Sequence, residues 1–135
     1  MSVQEQNLQI VESAYAALLR GEMEGFVASF TDESEIHEVA ESLPYAGVFK
    51  GPGVFPLVIG KVMEVFSALN FTKENIAAAG DNVVAWGQLE LTGRSTGTTV
   101  TIPLIEIWTL ANGKTTKLRV IYGDTATALK AAGLA

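Results

Sequence analysis

Residues 98–122 read TTVTIPLIEIWTLANGKTTKLRVIY, two β-rich runs joined by Asn112-Gly113, a pair that suits a tight hairpin turn because both residues tolerate positive φ. The same character extends backwards. Residues 70–79, 82–93, 98–110 and 115–123 read as four strands, separated by Gly80-Asp81, by Gly93 to Gly97 and by Asn112-Gly113. Short turns between consecutive strands predict an antiparallel meander.

Upstream the period changes from two to 3.6. Ser2 and Glu5 have capping-box spacing, and Leu8, Val11, Tyr15, Leu18 and Leu19 then share a helical face that ends at Gly21. Met23, Phe26, Val27 and Phe30 predict a second, shorter helix closed by the polar run Thr31 to Ser34. Residues 35–40 (EIHEVA) alternate as a short strand, and ESLPYAGVFKGPG reads as a loop. From Pro52 to Leu69, Phe55, Val58, Ile59, Val62, Met63, Phe66 and Leu69 predict a third helix with a wide apolar face. The tail DTATALKAAGLA predicts a last short helix stopping near Gly133. Helices followed by a meander indicate an α+β domain, residues 1–135, with helices on the concave face of a curved antiparallel sheet. A hot-dog arrangement is the structural alternative, and the two opening helices count against it.

The 135 residues suit one domain, and the 48% hydrophobic against 18% charged composition predicts a folded chain. A formal charge of -6, with nine scattered Lys and Arg, lacks the basic face that nucleic acid or anionic lipid requires. The absence of cysteine removes disulfides and thiolate chemistry. No stretch approaches the roughly 20 apolar residues of a membrane-spanning helix. The expectation is a soluble, unprocessed, cytoplasmic protein.

Alternation puts Leu104, Glu106 and Trp108 on one face of their strand. The alternatives are a Glu106 that points to solvent on an outer face and, as the size of its neighbours favours, a carboxyl desolvated between Leu104 and Trp108, which raises its pKa and favours the protonated, donating form. In the first strand Ile36, Glu38 and Ala40 share a face, with Glu35, His37 and Val39 on the other. Ile36 favours the Glu38 face as the inner one, although pattern alone equally allows two solvated charges on an edge strand. Tyr15 faces inward from the first helix, as a core tyrosine or as a phenol aimed at a substrate oxygen beside Glu106. Asp124 either extends into the mouth of the cavity or caps the last helix. Glu35 and His37 are too few for a metal site, and GVFKGPG lacks the rest of a phosphate loop.

Two segments, SEIHEVAESLPYAGVFKG and IEIWTLANGKTTKLRVIYGDTATAL, resemble the first strand with its loop and the last two strands with the tail of SnoaL-like polyketide cyclases. The whole chain is similar to that superfamily, which includes ketosteroid isomerases and has the cone-shaped nuclear transport factor 2-like (cystatin-like) fold. The resemblance implies that Tyr15 and Glu106 form an oxyanion hole, that Glu38 moves a proton, and that Asp124 stands near the acid/base of the cyclases. Both family acids at the Glu38 and Glu106 positions are Asp, a departure that weighs against steroid isomerisation. Leu104 stands where related epoxide hydrolases carry Arg. The implied activity is cofactor-independent isomerase or aldol-type cyclase chemistry on a hydrophobic carbonyl compound, with a non-catalytic ligand-binding module as the alternative. His37, Tyr45, Phe49, Phe55, Phe66, Leu104, Trp108 and Tyr122 are the expected substrate contacts. A homodimer through the outer sheet face, with Trp86 as a candidate, completes the expectation.

Overall fold

In the computed structural model, which describes residues 1–135, α1 (Val3–Leu19) begins with the expected capping box: Ser2 Oγ accepts from the Glu5 amide at 3.1 Å, and Glu5 answers at the Ser2 amide. Its inner face is Asn7, Val11, Ala14, Tyr15 and Ala17, while Leu18 and Leu19 are left exposed where the helix passes the open end of the fold. The second helix, α2, is a single turn (Met23–Phe26). Phe30 and the polar run after it belong instead to β1 (Phe30–Val39). Serines hold that run against the sheet: Ser34 Oγ donates to the Thr115 carbonyl at 2.6 Å, and Ser29 Oγ shares a 2.6 Å bond with Thr115 Oγ1. The bonds replace a ladder that slips between Phe30 and Glu35.

The loop that follows contains β2 (Gly47–Lys50), paired antiparallel with β1. α3 (Val54–Val65) is shorter than its apolar period suggests, because the chain turns extended at Phe66 (φ -117, ψ 130) and starts β3 (Phe66–Ala79). Phe66 satisfies both periods, being an inward position of either a helix or a strand. β4 (Asn82–Gly93), β5 (Thr99–Ala111) and β6 (Lys114–Tyr122) complete the meander, with Asn112 (φ 51) and Gly113 (φ 75) in the β5–β6 turn. α4 (Thr125–Ala132) closes the chain at Gly133.

The six strands lie in the order β2-β1-β6-β5-β4-β3. The sheet is mixed, not purely antiparallel: β1 runs parallel to β6, so the meander returns to the first strand and leaves β2 and β3 as the edges. Register then fixes the faces. Val83, Ala85, Leu89 and Leu91 of β4 point inward with Leu104, Trp108, Leu118 and Tyr122, and the helices cover them. Trp86 points outward, in a cross-strand row with Ile105, Ile121 and Val39.

Gly93 marks the closest contact between sheet and tail. A methyl group there would overlap the Ala131 carbonyl of α4, whereas one at Gly60 in α3 meets nothing within 4 Å. Gly93→Ala is expected to destabilise by about 1–3 kcal/mol through overpacking, and Gly60→Ala to stabilise by up to about 1 kcal/mol through helix propensity. Urea denaturation of both variants checks the contrast.

Candidate active site

The concave face of the sheet and the helices enclose a cavity of about 340 Å³. Ile36, Leu104, Leu118 and Val120 form its floor, and Phe55, Val58, Ile59 and Val62 of α3 its roof. Leu18, Leu19, Met23, Asn70 and Phe71 surround the open end. Apart from the Tyr122 phenol, its polar side chains are Glu38, Asn70 and Glu106.

The position of the two acids follows from register. Glu38 of β1 and Glu106 of β5 both stand opposite Val120 of β6, so they share the inner face with one strand between them. With strands about 4.8 Å apart, their backbones lie roughly 10 Å from each other. Val120, being short, leaves the space above it open to both carboxyls. Tyr122 is two residues further along β6 on the same face.

Tyr15 reaches Glu106 from α1. Its hydroxyl donates to Glu106 Oε1 at 2.6 Å and accepts from the Trp108 indole N–H at 2.9 Å. The rings of Tyr15 and Phe26 pack edge-on to Trp108, with centroids 5.7 and 5.1 Å away. Tyr15 does not line the cavity. Its proton is committed to Glu106, so the expected phenol aimed at a substrate oxygen is corrected: Tyr15 positions the carboxyl behind which it lies.

The acids have unequal surroundings. Burial pushes Glu106 up to about 7, and the Tyr15 hydrogen bond opposes that rise by stabilising the carboxylate. Burial pushes Glu38 up further, to about 8, and the nearby Glu106 charge adds to it. Glu38 is only 7% exposed, and its Oε2 has no hydrogen-bond partner. The described salt bridges reach neither acid.

Several expected site residues lie elsewhere. Asp124 caps α4, accepting from the Thr127 amide at 3.0 Å and hydroxyl at 2.6 Å, and these bonds hold it below its ordinary range. It is not among the cavity residues, so its acid/base role is corrected to capping. His37 lies on the outer face, 2.8 Å from Glu35, because alternation from Glu38 requires it. Phe49 on β2 and Phe66 pack in or against the core without reaching the cavity, and Trp108 acts through Tyr15. Tyr45 is likewise behind the wall, bonded to Tyr122 at 2.7 Å. Phe55, Leu104 and Tyr122 do line the cavity. Among the lining residues that sequence reasoning did not assign to the site are Met23, Phe71, Asn70 and Val120. Period-two alternation through Leu118 and Tyr122 identifies Val120, but Asn70, at a turn-like position in the sequence, carried no signal.

The family model for the SnoaL-like domain matches residues 11–118. No curated protein matches the sequence. Among solved structures, an NTF2-like protein from Burkholderia thailandensis is similar with a TM-score of 0.83 at 24% identity, covering 93% of this chain and 95% of that one. TerC co-crystallised with polyporic acid has a TM-score of 0.82 at 22% identity, covering 95% and 98%. A putative SnoaL-like polyketide cyclase from Jannaschia sp. CCS1 has a TM-score of 0.71 at 20% identity, covering 98% and 95%. At these identities the structural likenesses show a shared fold. With the family match spanning most of its length, the chain belongs to the SnoaL-like domain family and has the NTF2-like, cystatin-like α+β fold.

Proposed function

We propose that the chain is an enzyme that transfers a proton next to the carbonyl of a hydrophobic small molecule, needing no cofactor, in an isomerisation or aldol-type cyclisation. The observation that carries this reading is two carboxyls in one apolar cavity, the buried Glu38 and the half-buried Glu106, raised to about 8 and about 7. Such values bring an acid and a base to readiness near neutral pH.

Hydrogen bonding supports a division of roles that is the reverse of the one the resemblance implied. Tyr15 donates to Glu106 and favours its ionised form, whereas Glu38 has no comparable donor and retains its proton more strongly. Glu106 is therefore the base and Glu38 the acid. Glu106 removes a proton from the carbon beside the carbonyl, and the C–H electron pair passes to the carbonyl oxygen as an enolate. Protonated Glu38 donates a hydrogen bond to that oxygen. Return of the proton from Glu106 to another carbon gives isomerisation. Attack of the enolate carbon on a second carbonyl opens that C=O to an alkoxide, which takes the proton back from Glu106 and gives the cyclised alcohol.

The outer face supports a second proposal, pairing with another copy of this chain. Val39, Ile105 and Trp86 are 47%, 38% and 39% exposed, and Ile121 joins them into one apolar row across the sheet. Such a row favours burial against a self-complementary surface.

Three outcomes are expected. In D₂O, NMR of a panel of apolar ketones should show hydron exchange accelerated by the protein, rising through about pH 7 and falling above about pH 8. Glu106→Gln should reduce that exchange at least about 100-fold, while Glu38→Gln, which keeps a donor, should reduce it far less and remove the alkaline limb. Exchange abolished by Glu38→Gln alone would reverse the roles, and no exchange with any ketone would favour a binding module.

Stability should fall as pH rises from about 4.5 to 8, because over that window the native acids hold protons that the unfolded chain releases. Each acid should add a slope of at most about 1.4 kcal/mol per pH unit within its window, and Glu38→Gln should flatten the pH profile of the melting temperature. Finally, analytical ultracentrifugation should find a dimer that Trp86→Lys with Ile105→Glu converts to monomer.

A further inference from the structure

The cavity carries ionisable charge of one sign. Glu38 and Glu106 line it, and none of the nine Lys and Arg side chains does. Lys73 lies over the Tyr15 ring, 5.8 Å from its centroid, and pairs with neither acid. Glu38 is 7% exposed, yet its Oε2 has no hydrogen-bond partner. Buried carboxyls are normally satisfied by a donor or a counter-ion. The chain supplies Glu38 with neither, so a counter-ion has to come from outside it.

The walls beside the acids suit a cationic occupant. Phe26, Phe55, Phe71 and Tyr122 line the same cavity, with the Phe26 and Phe55 ring centroids 4.7 Å apart. Aromatic faces attract an ammonium group through the ring quadrupole, and the attraction grows where water is excluded. Acids set among such rings hold a cation by charge and by ring faces together. They repel a carboxylate, and a neutral alcohol gains only a hydrogen bond from them. The formal charge of -6 on the whole chain draws cations towards it over a longer range. Two acids sharpen the selection. Glu38 and Glu106 stand on either side of Val120, and the charge on Glu106 opposes ionisation of Glu38. A cation in the space above Val120 is attracted by both and cancels that opposition.

We propose that this cavity binds apolar ammonium compounds, amines on a ring or hydrocarbon skeleton, with the cation between the carboxylates of Glu38 and Glu106 and the skeleton in the apolar space under α3. The amine enters as the ammonium ion and keeps its proton. The carboxyl that pairs with it loses its own proton to solvent, and no covalent bond forms. This binding does not depend on the proton-transfer reading of the same cavity. Where both hold, a bound ammonium ion occupies the acid and the base together, so amines inhibit ketone exchange competitively.

The test is isothermal titration calorimetry with naphthylmethylamine, naphthylmethanol and naphthoate, which share one ring system and differ in head group. The amine should bind at least about tenfold more tightly than the alcohol, and naphthoate the most weakly. Titrations in buffers of different ionisation enthalpy should show nearly one proton released per amine bound below about pH 7, and none well above about pH 8, where both acids are already ionised. The alcohol should release none. Glu38→Gln should lower the amine affinity at least about tenfold and leave that of the alcohol within about twofold. The protein carrying both Glu38→Gln and Glu106→Gln should lose its preference for the amine. Melting temperatures at least equal to that of the wild type at neutral pH establish that the variants fold, and the proton release of the wild type needs no variant. Equal affinity for amine and alcohol in the wild type, amine binding without proton release below about pH 7, or a preference for the amine that survives both substitutions would overturn the proposal. Amine binding with proton release but no ketone exchange supports it and counts against the proton-transfer reading alone.

Discussion

The indole N–H of Trp108 is fully buried and must donate to something; the Tyr15 oxygen receives it, and the Tyr15 proton then goes to Glu106. That chain of two bonds links α1 to the middle of β5 and sets the height of the helix above the sheet. It also makes one of the two cavity acids different from the other. Glu38 is the more buried of the two acids, and the Tyr15 bond widens the difference between them. With it, one is stabilised as an anion and the other is left to hold its proton.

The surroundings of the pair are a compromise between stability and chemistry. Two carboxyls opposite the same valine, under a roof of Phe55, Val58 and Val62, weaken the fold wherever the solution pH would ionise them. An apolar pair at these positions would pack without that penalty. The rest of the molecule offsets it with a continuous core from Val11 to Ala132, and with close contacts such as α4 against Gly93.

Much of this was legible in the chain. The four strands of the meander, the capped first helix and the shared face of Leu104, Glu106 and Trp108 follow from period-two and period-3.6 patterns that the structure reproduces, whereas pattern alone left Glu38 open between cavity and solvent. Errors arose where one residue satisfies two patterns. Phe30 and Phe66 fit a helical period yet begin strands, and Thr31 to Ser34 look like a stop signal because their partner, Thr115, is 81 residues away from Ser34. The short strand β2 is hidden in a glycine-rich loop because pairing with β1, not its own composition, makes it a strand.

The sequence by itself determined the fold class and the apolar character of the face that carries Glu106, since these depend on local periodicity and on the size of neighbouring side chains. Tertiary structure alone decided that β1 lies parallel to β6, which brings Glu38 and Glu106 to either side of Val120. It alone decided that the Tyr15 hydroxyl is spent on Glu106. A pattern along one chain shows which face a residue occupies; the strand that pairs with it, and the donor that reaches it from another element, are fixed only by packing across long separations in sequence.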